Sequence, residues 1–274
     1  LLMNFIYTPA ELSDWAWRVP FVIGGVFGLI SIYLRRFLQE TPVFKKMRES
    51  KALAKFPLEE VVKTSRFGIW ISMFITWVLT GCIVVFILLM PGFVGGVLGF
   101  SPFETTYFQM GGLVCIVSSC WLTGRLADKH NPSTLCILFS AGFAVSSVAF
   151  FSLLYTAAPV VSEVVLAYFA TCFFAGIMNF CPIFMCDVFP ARIRFSGISF
   201  AYNIAYALSG AFTPQLSFAL HAYAKTHPDT LGAMGLSAYI VFLALVSIGT
   251  ALAMRRVYKN GGAAVSQMEF RPAP

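Results

Sequence analysis

Long runs of apolar residues, separated by short polar or charged stretches, recur seven times along this chain of 274 residues. Each run is about 20 or more residues long, which is the length that an α-helix needs to cross a hydrocarbon core about 30 Å thick. Runs such as 69–90 and 135–154 show no alternation of apolar and polar residues, which disfavours a membrane β-barrel. We therefore predict an all-α integral membrane protein with seven transmembrane helices, at about 17–37, 67–91, 103–123, 132–155, 159–186, 196–220 and 234–254.

Capping residues support three of the predicted helix starts. Ser101-Pro102-Phe103-Glu104 is a capping box with proline at the first helical position, and Asn131-Pro132 repeats the cap followed by proline. Asp14 is placed to cap the first helix. Pro182 and Pro214 predict kinks, because proline removes a backbone hydrogen bond.

The positive charges indicate how the helices are oriented. Hydrophobic residues make up 58% of the chain and charged residues 11%, where a soluble domain has about a quarter charged. Of the nineteen Lys and Arg residues, seventeen fall on one side of the seven-helix pattern. This predicts an external N-terminus, a cytoplasmic C-terminus and a location in the cell (inner) membrane. The net charge of +7 then lies in loops beside helices, which argues against nucleic acid as a partner and makes the lipid bilayer the expected one.

Two segments lie outside the apolar runs. The connection at 38–66 is basic and amphipathic, and it predicts a short helix on the inner membrane surface that tethers two helical bundles; a regulatory role is the alternative. The tail at 255–274 is short and contains no heptads, so we expect it to be cytoplasmic and without a coiled coil.

Neither a metal site nor a buried charge is indicated. The three histidines, His130, His221 and His227, are all expected in loops, so no metal-ligand cluster, cofactor or enzymatic activity is predicted. No ionisable residue lies at the middle of a predicted helix, where such groups normally mark a transport pathway.

Two polar stripes are the candidate solute-binding surface. The fifth and sixth runs place polar residues at spacings of three or four, so each stripe lies on one face of its helix. Amides and phenols that line a cavity could orient a small polar solute, while the alternative is interhelical hydrogen bonding that contributes about 1 kcal/mol per contact. The candidates are Tyr168, Thr171, Asn179, Tyr202, Asn203 and Tyr206.

Two predicted cytoplasmic loops are candidate gates. Each sets an acidic residue near Arg or Lys at a helix end, where ion pairs could hold helices in one conformation and release them in another. A solvated charge cluster is the alternative. The gating candidates are Gly124, Arg125, Asp128 and Lys129 in one loop, and Asp187, Arg192 and Arg194 in the other.

These motifs, taken in order, resemble the metabolite:proton symporters of the major facilitator superfamily. The resemblance runs from Trp17-Arg18-Val19-Pro20-Phe21 and Glu40-Thr41-Pro42-Val43-Phe44 through the 124–129 loop. It continues with the 189–194 loop, Tyr202-Asn203 and Thr213-Pro214.

The resemblance implies helices 6 to 12 of a twelve-helix carrier. On that register, 1–37 holds an external segment and the last helix of the N-terminal bundle, 38–66 the inter-bundle loop, 67–254 the C-terminal six-helix bundle and 255–274 the tail. The implied function is proton-coupled symport of a small organic acid or zwitterion by alternating access, with the other N-terminal helices of the carrier as partners. Leu1 lies in an apolar run, so we expect this chain to be the later part of something larger.

Some features depart from the family pattern. His130-Asn131 replaces the basic run that often follows the Asp-Lys pair, and Asp187 stands where glutamate is expected. The osmosensing branch usually ends in a coiled coil, so an osmolyte carrier of that type is disfavoured. Two other interpretations remain: a truncated remnant that transports nothing, and a seven-helix receptor-like protein. A retinal protein is excluded because 237–254 contains no Lys.

Overall fold

The computed structural model describes residues 2–37, 45, 48–49, 56–156, 158–227 and 234–259. The chain forms two compact units, Leu1–Lys51 and Ala52–Pro274. In the first unit the helices are α1 (Leu2–Ile6), α2 (Pro9–Asp14) and α3 (Val19–Arg35). In the second they are α4 (Pro57–Thr64), α5 (Arg66–Cys82), α6 (Met90–Leu98), α7 (Pro102–Ala127), α8 (Pro132–Leu154), α9 (Val161–Phe174), α10 (Phe180–Val188), α11 (Ala191–Thr226) and α12 (Gly235–Lys259).

In the first unit, the start of α3 differs from the prediction. Asp14 does not cap this helix, because a 3₁₀ turn at Ala16–Arg18 delays its start to Val19. The main-chain oxygen of Asp14 instead accepts a hydrogen bond from Nη1 of Arg18 at 2.8 Å. The capping box in this unit belongs to α2, where Thr8 and Glu11 satisfy each other's backbone N–H groups.

The other two predicted caps are confirmed. The Ser101 hydroxyl accepts from the Glu104 amide at 3.3 Å, and the Glu104 carboxylate accepts from the Ser101 amide at 2.8 Å. Oδ1 of Asn131 accepts from the Ser133 amide at 2.9 Å. These bonds fix where α7 and α8 begin, within one residue of the predicted starts.

Six stretches among the described residues are long and apolar enough to cross a membrane. They are Ala16–Arg35, Arg66–Leu98, Pro102–Ala127, Pro132–Leu154, Val161–Val188 and Gly235–Lys259. Each overlaps one of the seven predicted segments. The remaining predicted segment, 196–220, falls within α11, a single helix of 36 residues that is too polar to join this set.

The predicted kinks take different forms. A 3₁₀ segment at Ala175–Asn179 joins α9 to α10 just before Pro182. In contrast, α11 continues as one helix through Pro214. A further interruption, which the sequence analysis did not predict, is a π-helical segment at Ile83–Leu89, between α5 and α6.

The hydrophobic core of the second unit lies between helices that pack closely through small residues. One side of α11 is buried at every fourth position, at Gly197, Ala201, Ala205, Ser209, Thr213 and Ser217. Helix α11 packs most extensively against α5, and α12 packs against α8, where the Ser140 hydroxyl donates to Oγ of Ser247 at 2.8 Å. Small residues allow such close helix contact in membrane proteins.

The predicted basic connection contains a short helix, as expected. This is α4, and it packs against α11 through the buried side chain of Val61. Most of 38–55 lies outside the described residues. The predicted tail at 255–274 begins differently from the prediction, because α12 continues to Lys259. Residues 260–274 lie outside the described residues, so the absence of a coiled coil there stays a prediction.

Candidate functional site

The candidate solute-binding residues on α11 share one side of the helix. Positions 199, 202, 203, 206 and 210 follow the spacing of a single helical face. The rings of Tyr202 and Tyr206 stack with their centroids 5.4 Å apart. Asn203 is exposed, and its Nδ2 donates to the main-chain oxygen of Ser199 at 2.7 Å. Its carboxamide oxygen accepts no bond from the described residues. An amide acceptor and the Tyr206 side chain are therefore exposed together, beside the half-buried ring of Tyr202.

The candidates on α9 are instead buried inside the bundle. Tyr168 is 1% exposed, stacks on Phe108 with centroids 4.0 Å apart, and its hydroxyl donates to the main-chain oxygen of Phe86 at 2.8 Å. Thr171 is fully buried and donates to the main-chain oxygen of Ala167 at 2.8 Å. Both side chains therefore make the structural contacts that were the alternative to a cavity lining.

Asn179 lies between the two sets of candidates and contacts the first candidate gate. Its Nδ2 donates to the main-chain oxygen of Cys120 at 3.1 Å and to Oγ1 of Thr123 at 3.2 Å. A Cβ atom on Gly124 would lie 3.5 Å from the same nitrogen. Asn179 thus joins the 3₁₀ segment to the end of α7, at the start of the 124–129 loop.

The structure does not bring the six solute candidates into one cluster. Helix α5 packs against both α10 and α11. Asn203 and Tyr206 are exposed and the neighbouring Tyr202 is half-buried, whereas Tyr168, Thr171 and Asn179 form internal hydrogen bonds.

Asp187 and Arg192 of the second gate each bond to a residue on another helix. Oδ2 of Asp187 accepts from the hydroxyl of Tyr258, on α12, at 2.6 Å. Arg192 forms an ion pair with Glu60 on α4. Nε of Arg194 donates to the main-chain oxygen of Phe189 at 3.1 Å. This loop therefore links α10, α11, α12 and α4.

The first gate is more exposed. The guanidinium carbon of Arg125 lies 4.4 Å from the centre of the Trp121 ring, a cation–π distance. Asp128 and Lys129 are exposed at the end of α7. Their backbone N–H groups bond to the oxygens of Gly124 and Leu126, so the loop continues the helix as a tight turn.

Two residues at the second gate were missed by sequence reasoning. Phe189 is fully buried, and a Cβ atom on Gly68 or Gly197 would lie 2.8 or 2.6 Å from its ring. The ring is thus held between the starts of α5 and α11, beside Val61 and Ile193. Glu60, the partner of Arg192, lies in the predicted amphipathic helix, but its periodicity alone does not reveal which basic residue it would meet.

Comparison with known proteins identifies the family. The family model of the Major Facilitator Superfamily matches residues 3–214. The chain belongs to this superfamily. No solved structure matches significantly.

Several curated relatives are transport proteins. The chain is 28% identical over 250 residues to the inner membrane metabolite transport protein YhjE of Escherichia coli, covering 86% of this chain and 53% of the relative. It is 26% identical over 228 residues to a citrate-proton symporter of Klebsiella pneumoniae, covering 81% and 49%. It is 23% identical over 216 residues to a putative proline/betaine transporter of Staphylococcus haemolyticus, covering 78% and 45%.

The chain spans about half the length of the curated relatives it matches. Its apolar helices and its family indicate a multi-pass membrane protein of a transporter family. The resemblance to the major facilitator superfamily found from the motifs is confirmed.

Proposed function

We propose that this superfamily member corresponds to helices 6 to 12 of a proton-coupled symporter for a small organic acid or zwitterionic metabolite. The observation that carries the proposal is the exposed polar side of α11, with Tyr202, Asn203 and Tyr206, on the least apolar long helix of the bundle. The symporter works by alternating access, in which two bundles rock around a central site.

A polar helix face inside a membrane needs a partner. Exposed to lipid, amides and phenols would lose hydrogen bonds to water, so such groups normally face protein or a water-filled cavity. The opposite side of α11 is already packed on α5 through small residues. We therefore take α11 as the seventh membrane-crossing helix, with its polar side lining the solute pathway.

Side-chain chemistry and the names of relatives support the proposed class of solute and the proton as the coupling ion. Neutral amide and phenol groups suit carboxylates and zwitterions, because amide N–H and phenol O–H groups can donate to a solute carboxylate in a confined site. Among the relatives, one is named a citrate-proton symporter and others putative proline/betaine transporters. The latter names are compatible with the zwitterionic class of solute that the resemblance implies.

The second gate would close the cytoplasmic side in this proposal. Arg192 with Glu60, and Asp187 with Tyr258, tie α4 and α12 to the loop between α10 and α11. Breaking these bonds would allow the helix ends to separate, and reforming them would close the pathway. The first gate, with Gly124, Arg125, Asp128 and Lys129, would act at the same membrane face.

The test is uptake by the protein expressed from its complete reading frame and placed in vesicles. An inward proton gradient should drive accumulation of citrate, proline or glycine betaine, and a proton ionophore should abolish it. If none of a panel of organic acids and betaines accumulates, symport is wrong. The 274-residue chain alone should insert but accumulate nothing, because alternating access needs two bundles.

The binding surface has its own variant and control. Asn203→Ala should reduce uptake at least about tenfold, as expected for the loss of a hydrogen bond to a charged solute, while membrane insertion is unchanged. Leu208→Ala is the matched control, because Leu208 is exposed on the apolar part of the same helix. Equal uptake by Asn203→Ala and wild type would remove Asn203 from the pathway.

A further inference from the structure

An apolar groove with a volume of about 380 Å³ runs between α5 and α12. Aromatic side chains form the α5 wall, and small or short side chains form the α12 wall. The lining includes Phe67, Trp70 and Phe74 on one side and Val246, Gly249 and Ala253 on the other. The rings of Trp70 and Phe74 stack with centroids 5.8 Å apart, so this wall is a continuous aromatic surface.

Basic residues lie at one end of the groove. Helices α5 and α12 are antiparallel along it, so the start of α5 meets the end of α12. Arg66 directly precedes Phe67, and Arg256 follows Ala253 by three residues and Val246 by ten, on the same helical face. Both arginines are exposed, and neither forms an ion pair with a described residue.

No acidic residue occurs on either helix that could neutralise these charges. The sequences of α5 and α12 contain no Asp or Glu. The acidic residues near this end have other partners: Glu59 pairs with Lys63, Glu60 pairs with Arg192, and Asp187 accepts a hydrogen bond from Tyr258. Among the described residues neither arginine has an acidic partner, and an apolar groove that ends in two such cations at a membrane surface matches a ligand with an apolar chain and an anionic head.

We propose that this groove binds one anionic phospholipid, with an acyl chain between α5 and α12 and the phosphate on Arg66 and Arg256. The groove shares no residue with the polar side of α11, so the site is separate from the proposed solute pathway. Under the predicted topology it lies in the cytoplasmic leaflet. The bound lipid would fill the gap between the two helices at the end where α5 also meets Phe189.

The test is native mass spectrometry of the detergent-purified protein from the complete reading frame, titrated with lipid. The probes are phosphatidylglycerol and phosphatidylcholine with identical acyl chains. Wild type should bind one phosphatidylglycerol molecule, with an affinity about tenfold or more above its affinity for phosphatidylcholine. Arg66→Gln with Arg256→Gln should remove that preference, since each arginine near the surface contributes to anionic lipid binding.

Two further variants distinguish the effect of charge on lipid binding from the effect of the space in the groove. Arg255→Gln is the matched control: it removes the same charge from the neighbouring residue, which lies on the opposite face of α12, and should keep the preference. Gly249→Phe should weaken binding of both lipids by filling the groove, and it should fold because nothing lies within 4 Å of a Cβ at Gly249.

Three outcomes would overturn the proposal: equal retention of the two lipids by wild type, full preference in the double arginine variant, or unchanged binding in Gly249→Phe. The experiment measures lipid retention and not solute uptake. The lipid proposal can therefore be wrong while the symport proposal is right, and the symport proposal can be wrong while the lipid proposal is right.

Discussion

Nε2 of Gln109 donates a hydrogen bond to the main-chain oxygen of Ile87 at 2.8 Å. Ile87 lies four residues before Pro91, which has no N–H to donate to that oxygen. Phe86, five residues before Pro91, is the acceptor in the π-helical pattern, and its oxygen accepts from Tyr168. Side chains from α7 and α9 therefore donate to the two carbonyl oxygens that the missing Pro91 N–H could have reached.

This relationship predicts coupling between Gln109 and Pro91. Gln109→Leu should lower the free energy of unfolding by about 1 kcal/mol, the usual value of a polar contact in a membrane bundle. In a Pro91→Ala background the backbone donor returns, so the same substitution should cost much less. Thermal unfolding in detergent would measure both differences.

Tyr168→Phe provides the parallel comparison, since it removes only the hydroxyl that donates to Phe86. Gln215→Leu, at an exposed polar position, is the control. Equal losses for Gln109→Leu with and without Pro91 would show that the bond does not compensate for the proline.

The packing of Phe189 gives a second prediction. Gly197→Ala would place a Cβ atom 2.6 Å from the Phe189 ring, and Gly68→Ala would place one at 2.8 Å. Each substitution should destabilise the protein by about 1–3 kcal/mol through overpacking. In contrast, a Cβ at Gly210, on the same helix as Gly197, would have its nearest neighbour at 4.0 Å, so Gly210→Ala should be tolerated.

Replacing the ring tests the cause of that loss. In a Phe189→Leu background, Gly197→Ala should cost less than in wild type, because the smaller side chain leaves room for the new methyl group. Chemical denaturation or thermal unfolding of the four proteins gives the coupling. If Gly197→Ala destabilises the Phe189→Leu protein as much as wild type, the new methyl group does not clash with the Phe189 ring.

Sequence reasoning succeeded where the determining contacts are local. The caps at Ser101 and Asn131 depend on residues two or three positions away, so the sequence contains both partners. The predicted cap at Asp14 is wrong because a 3₁₀ turn at Ala16–Arg18, which apolar periodicity does not reveal, precedes α3. The helix therefore begins several residues after Asp14.

The candidate site was harder to predict because its partners are distant. The donors to Phe86 and Ile87 are 82 and 22 residues away along the chain. The 3₁₀ segment Ala175–Asn179 has three residues per turn, so it rotates Asn179 relative to the α-helical stripe that included Tyr168. The sequence stripe, which assumed the α-helical period throughout, therefore grouped residues that face different neighbours.

The ion pair of Glu60 and Arg192 gives a third prediction. Their side chains are 21% and 28% exposed, so loss of one partner leaves a half-buried charge. Glu60→Gln should lower stability by about 1–3 kcal/mol. Reversing both charges, Glu60→Arg with Arg192→Glu, should restore much of it. Unfolding in detergent measures stability, and vesicle uptake measures any effect on gating.

The same helix contains a matched control. Glu59 and Lys63 also form an ion pair, but their side chains are 56% and 70% exposed. Glu59→Gln should change stability by less than about 0.5 kcal/mol, because solvent screens exposed pairs. If the two glutamine variants behave alike, the pair with Arg192 is no more than a surface contact.

Cys186 offers a direct test of the predicted topology. It is exposed next to Asp187, whereas the other cysteines are buried or half-buried. A membrane-impermeant maleimide should label it in inside-out vesicles and leave it unlabelled in right-side-out vesicles, because the loop after α10 is predicted to be cytoplasmic. Cys186→Ser should abolish the labelling, which assigns the signal to this residue. Labelling from the outer face alone would reverse the orientation and move both candidate gates to the external side.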